Sequence, residues 1–153
     1  MLKLILGQEK WIGQITLRCS QIDQTLKFYQ NILGMKMLSI QKVGAYGFTL
    51  YFLAFTDEDP PEQDLNSVKI REWLWQRPYT TLELQHVAGS NFEGMKENDL
   101  GVDSIEMTIA NHDEVLQKLN NAGYKTNEVG NGYRVCDPDG AKIMILKNCN
   151  GSI

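Results

Sequence analysis

Residues 20–34 read SQIDQTLKFYQNILG, and a similar design returns at residues 110–123 as ANHDEVLQKLNNAG. In the first stretch, Ser20 followed three residues later by Asp23 is a helix-start signal. Ile22, Leu26, Tyr29 and Leu33 then recur at spacings of 4, 3 and 4, which places them on one helical face. Gly34 stands where a helix commonly turns left-handed and stops. In the second stretch Asn111-His-Asp-Glu114 gives the start, Val115, Leu116, Leu119 and Ala122 give the apolar face, and Gly123 gives the stop. Asp23, Leu26 and Asn31 fall 90 positions before Asp113, Leu116 and Asn121.

Working outward, each helix sits in the same order of elements. Trp11–Cys19 precedes the first helix as a strand. Met37–Gln41, Tyr46–Phe55 and Thr80–His86 follow it as three more. Ser104–Ala110 precedes the second helix, and Lys125–Val129, Tyr133–Asp137 and Lys142–Lys147 follow, with Asp137-Pro-Asp-Gly140 as a tight turn. The stretch Asp57–Pro78 breaks the symmetry: it is acidic, opens on Pro60-Pro61, and carries Val68, Ile70, Trp73 and Leu74 as a short amphipathic helix. A repeat of the whole element order predicts an α+β fold of paired βαβββ modules closing into a curved half-barrel. We expect one domain over 1–153 made of two modules, 10–90 with an inserted loop at 57–78, and 100–148.

The chain has 153 residues, a formal net charge of −4 and 22% charged residues. No basic stripe marks a nucleic-acid or anionic-membrane partner. The apolar run Leu4-Ile5-Leu6 is too short for a signal-peptide core or a membrane span. Cys19, Cys136 and Cys149 are odd in number and lack Cys-x-x-Cys spacing, as expected of free thiols in a reducing, cytoplasmic setting.

Strand parity predicts which side chains face the concave side of the half-barrel. Gln14, Thr16 and Arg18 share a face opposite Ile15 and Leu17. Thr81, Glu83 and Gln85 oppose Leu82 and Leu84. Ser104, Glu106 and Thr108 oppose Ile105, Met107 and Ile109, and Lys142, Met144 and Leu146 oppose Ile143 and Ile145. His86 has the parity of Leu82 and Leu84 and reads as a packed or surface histidine. His112, at a helix start, reads as solvated, and Trp73 and Trp75 read as packing or lid residues of the insertion.

The segments GQITLR, FYQNILGM, LYFLAF, TLELQH and DPDG resemble the glyoxalase I (lactoylglutathione lyase) family of the vicinal oxygen chelate superfamily. The likeness spans about residues 13 to 148. It implies the glyoxalase fold, a homodimer, a glutathione-conjugate substrate and a four-ligand Zn²⁺ or Ni²⁺ site. Gln14 and Glu83 match two ligand positions and keep the family's residue types. The third, a histidine in the family, matches Ser104, 90 positions after Gln14. The fourth, a glutamate that also serves as the catalytic base, matches Met144. A serine hydroxyl is a poor donor for Zn²⁺ or Ni²⁺, and a thioether is soft and neutral. Met144 cannot take a proton, and loss of a general base alone costs about 10²–10⁴ in rate. Of the glutathione anchors, Arg18 matches, whereas Val87 and Leu100 stand where the family has Asn and Arg. Phe48, Leu50 and Phe52 match the apolar wall of the substrate pocket.

No confident catalytic residue emerges. The reading is a glyoxalase I-like protein that binds a small ligand, a glutathione conjugate among the candidates, without lyase activity and without a cofactor. The alternatives are an active metal-dependent lactoylglutathione lyase with a compensated Zn²⁺ or Ni²⁺ site, and a superfamily enzyme of other specificity. Glu106, two residues and about 6.6 Å along the strand from Ser104, is the residue for such compensation, pairing with Glu83 around a hard cation. It could equally pair with Arg18 or face solvent. Without a metal, Gln14 and Glu83 would bond each other.

Overall fold

The computed structural model describes residues 12–96 and 101–148. Trp11, Leu100, Cys149 and the run Leu4-Ile5-Leu6 lie outside them. Eight strands are described: β1 (Gln14–Cys19), β2 (Lys36–Val43), β3 (Phe48–Ala54), β4 (Thr81–Val87), β5 (Ile105–Ile109), β6 (Asn127–Val129), β7 (Gly132–Cys136) and β8 (Lys142–Lys147). Helix α1 (Ile22–Leu26) runs on into wider π-type turns over Lys27–Ile32; α2 is Val68–Leu74 and α3 is His112–Asn121. The expected elements are all present, with ends shifted by a few residues at most.

The strands form two four-stranded sheets, ordered β1-β4-β3-β2 and β5-β8-β7-β6. In each, the first strand of the set lies beside the fourth, so the repeat seen along the chain is also a repeat of sheet topology. The α+β assignment therefore holds. By packing, the chain divides into two compact units. One holds β1 as far as Arg18 together with residues 35–89; the other holds residues 19–34 and the chain from Ser90 onward.

In the first unit, β2 and β3 pair antiparallel, with a register shift between Met37 and Ser39, and β3 pairs antiparallel with β4. The insertion does fold as one short helix. Ser67 caps α2 by accepting a hydrogen bond from the Ile70 amide at 3.2 Å. Ile70 and Leu74 are buried, and Leu74 packs in a cluster with Leu38, Phe52 and Ala54.

In the second unit, Phe28, Tyr29, Val115, Leu119, Tyr133, Val135, Ile143 and Ile145 are fully or almost fully buried. Val115 and Leu119 come from the apolar face of α3, and Tyr133, Val135, Ile143 and Ile145 from the odd-numbered parity of β7 and β8; in the first helix Phe28 and Ile32 join Tyr29 and Leu33 inside, whereas Ile22 and Leu26 are half-buried. The helix starts differ from the expected capping. No side chain caps α1 or α3. Ser20 instead gives both its amide and its hydroxyl to the Asp139 carboxylate, because that buried acid needs donors more than an exposed helix end does. Asp137 accepts from the amides of Asp139 (3.0 Å) and Ala141 (2.8 Å) and from the Tyr29 hydroxyl (2.8 Å). The DPDG turn is thus a buried polar staple as well as a reversal. Gly140 sits at φ +89°, and a Cβ there would run into the backbone carbonyl of Met95, so this position demands glycine.

Candidate functional site

The first unit brings Gln14 and Glu83 together. They stand on the neighbouring strands β1 and β4, and Gln14 Nε2 donates to Glu83 Oε2 at 2.7 Å. The same amide also donates to Thr16 Oγ1 at 3.0 Å. Glu83 is 8% exposed. Burial pushes its carboxyl up from the usual range, while the hydrogen bonds from Gln14 and Thr16 pull it back.

Register explains that burial. Glu83 pairs with Phe52 across β4 and β3, and Gln85 with Leu50, so the acid shares a face with the apolar wall residues. That wall is largely taken up by the insertion. Phe52 is buried against Leu74 and Leu38, Leu50 packs on the same cluster, and Trp73 and Tyr79 close around it. Phe48 instead stacks on exposed Tyr46, with ring centroids 5.8 Å apart. Trp73 is therefore a packing residue, with Arg77 over its ring at 4.8 Å, whereas Trp75 is 76% exposed. What space remains beside Gln14 is a cavity of about 170 Å³, bordered by Trp75 and Arg77 of the insertion and by Tyr79 and Thr81 after it. Arg18 is exposed at the end of β1, and His86 is half-buried, opposite Thr49.

The second unit carries the other two positions. Ser104 lies just before β5 and is half-buried; Met144 lies in β8 and is 8% exposed. In the parallel pair of β5 and β8, Met144 is level with Glu106. In the antiparallel pair of β8 and β7 it is level with Arg134, which is level in turn with Asn127 on β6. One row across this sheet therefore reads Glu106, Met144, Arg134, Asn127. Lys142, two residues from Met144 on the same face, is level with Cys136. Glu106 is exposed.

Sequence reasoning singled out Met144 but passed over Arg134. The signal was available: a reversal at DPDG that pairs Cys136 with Lys142 also pairs Arg134 with Met144. Of the thiols, Cys136 is exposed and Cys19 is buried. Burial, then the charges of Asp139 and Asp137, push the Cys19 thiol up to about 12, so it is no nucleophile. His112 is half-buried rather than solvated; its ring packs on Tyr133 with centroids 4.8 Å apart, and its Nδ1 lies 3.1 Å from the Asp113 carboxylate. Among the described residues, no three His, Cys, Asp or Glu side chains gather as a metal cluster would require. None of the described helices is long and apolar enough to cross a membrane.

Two sheets of one strand order, each traced as a strand, a helix and three strands, define the class: an α+β protein of paired βαβββ modules. The chain belongs to the Glyoxalase/Bleomycin resistance protein/Dioxygenase superfamily, whose family model matches residues 11–145. It is 29% identical to the lactoylglutathione lyase of Haemophilus influenzae over 137 residues, which span 86% of this chain and 88% of that protein. It is 25% identical to a probable lactoylglutathione lyase of Vibrio parahaemolyticus over 140 residues, 89% of each chain. Among solved structures, the trypanothione-dependent glyoxalase I of Leishmania major superposes with a TM-score of 0.68 at 22% identity, over 91% of this chain and 87% of that one.

Proposed function

We propose that this protein is a glyoxalase I-like binder of a small molecule that does not carry out the lactoylglutathione lyase reaction. The observation that carries the reading is Met144. At the position matching the family's catalytic base stands a buried thioether, and a thioether accepts no proton at any physiological pH. The donor set argues the same way. Ser104 offers a neutral hydroxyl, Met144 a soft neutral sulfur, and Glu83 Oε2 already accepts from the Gln14 amide. Zn²⁺ and Ni²⁺ sites are built from imidazole, thiolate and carboxylate, so these residues do not fit a metal of that kind. Gln14 and Glu83 satisfy each other instead, which is how a buried carboxylate avoids the cost of standing alone.

The same reading includes a homodimer and a cytoplasmic setting. Light scattering on the eluting protein would give about twice the 17.4 kDa chain mass for a dimer. Elemental analysis after dialysis against Zn²⁺ or Ni²⁺, with an assay of methylglyoxal–glutathione hemithioacetal isomerisation, tests the function. The account expects neither stoichiometric metal nor turnover.

One observation favours a second reading, an active lyase. Glu106 is level with Met144, so its carboxylate stands next to the vacated base position. If turnover is found, Glu106→Gln should abolish it; under the first reading that variant changes nothing measurable in the assay.

A further inference from the structure

The second unit holds a cavity of about 370 Å³ lined by Lys125, Arg134 and Lys142, with Asn127, Cys136 and Met95 among its other walls. That volume lies within the range of small-molecule sites. Among the described residues, three cations and no carboxylate contribute to its lining. Arg134 Nε is buried and has no hydrogen-bond partner among the described residues. A guanidinium N–H left unsatisfied inside a protein is costly unless a ligand or water completes it. Asp103 faces Lys142 at 3.9 Å and is itself 82% exposed, a pair worth little in water. Glu106 stands on the far side of Met144, two strand spacings or about 10 Å from Arg134, with the thioether side chain between them.

We infer that this cavity binds a small organic dianion through its oxyanion groups, with Arg134 as the forked donor and Lys142 and Lys125 as point charges. The inference rests on the reading that this sheet face serves a ligand rather than a metal. Two fixed cations near Met144 would repel an incoming metal ion and attract a carboxylate or phosphate. The wall chemistry suits a dianion: paired charges need at least two cations, and Met95 offers apolar surface to a short carbon skeleton.

The test is an NMR titration of the full chain, at low ionic strength, with inorganic phosphate in one arm and succinate in the other. The Arg134 Nε–Hε resonance and the backbone amides of β7 are the reporters, the amides alone being followed in the Arg134 variant. Saturation with a dissociation constant of about 1 mM or below, in either arm, is the expected result. Saturation by phosphate alone identifies a phosphomonoester, by succinate alone a dicarboxylate. Arg134→Gln should weaken binding at least about ten-fold, and Lys142→Gln provides the same check should the first variant fold poorly. Lys69→Gln, an exposed lysine of the first unit paired with Glu62, should leave binding unchanged. No saturable shift in either arm, or equal weakening by all three substitutions, overturns the inference. Anion binding by a protein that also isomerises the hemithioacetal overturns the proposed function alone; neither activity overturns this inference alone.

Discussion

Gln14 Nε2 donates to Glu83 Oε2 at 2.7 Å, joining two residues 69 positions apart on adjacent strands. In the function proposed above both stand at ligand positions of the family, yet here they meet as donor and acceptor. Burial holds the Glu83 carboxyl above its usual range. A group with a raised folded-state pKa contributes stability below its unfolded value, and that contribution is lost as pH rises through the folded value. Glu83→Gln removes this pH-dependent cost and keeps an acceptor for Gln14. We expect the variant to be as stable as the parent or more so at pH 7. The difference should vanish below about pH 3, where Glu83 is protonated in both states. Thermal unfolding at the two pH values checks it; a variant clearly less stable at pH 7 would contradict it.

Asp137 is shifted in the same direction as Glu83, with Tyr29 as a donor. Burial pushes the Asp137 carboxyl up, and the hydrogen bond from Tyr29 is foremost among those that pull it down. Tyr29→Phe takes away that donor inside the core of the second unit. We expect a loss of about 1.5–3 kcal/mol at neutral pH. The lost bond favoured the ionised form, so the loss should shrink as pH falls and Asp137 is protonated. Urea unfolding of parent and variant at pH 7 and at low pH measures both.

Restoring the missing donor types tests the assignment of positions. Ser104→His combined with Met144→Glu supplies the imidazole and carboxylate that Zn²⁺ or Ni²⁺ prefers. Metal affinity should rise at least about ten-fold over the parent, read by competition with a chelating dye. A double variant no better than the parent would mean that Ser104 and Met144 do not occupy the ligand positions. Arg134, level with residue 144, should pair with the new carboxylate, so adding Arg134→Leu should raise the affinity further.

Much of the fold was legible because periodicity is a backbone property. The 4-3-4 spacing of Ile22, Leu26, Tyr29 and Leu33 marked a helix, and strand parity separated buried Ile143 and Ile145 from Lys142 on the opposite face. Helix capping was misread at Ser20, whose hydroxyl goes to Asp139, 119 residues away. No local pattern encodes a partner that distant. The pocket wall was misjudged in emphasis for a similar reason. Phe52 and Leu50 do share one face, but the insertion lays Leu74 and Trp73 over them, and only three-dimensional packing says where an insertion lands. Arg134 was missed because its importance depends on register with β8, which follows from the DPDG turn once that turn is taken as the ruler of the hairpin.

The central claim is that a thioether at residue 144 leaves this protein without the base the lyase reaction needs. The most direct measurement is the rate of hemithioacetal isomerisation by the purified protein, saturated first with Ni²⁺ and then with Zn²⁺. The account predicts a rate equal to that of buffer and metal alone at every protein concentration. A rate that rises in proportion to protein and disappears with chelator would contradict it.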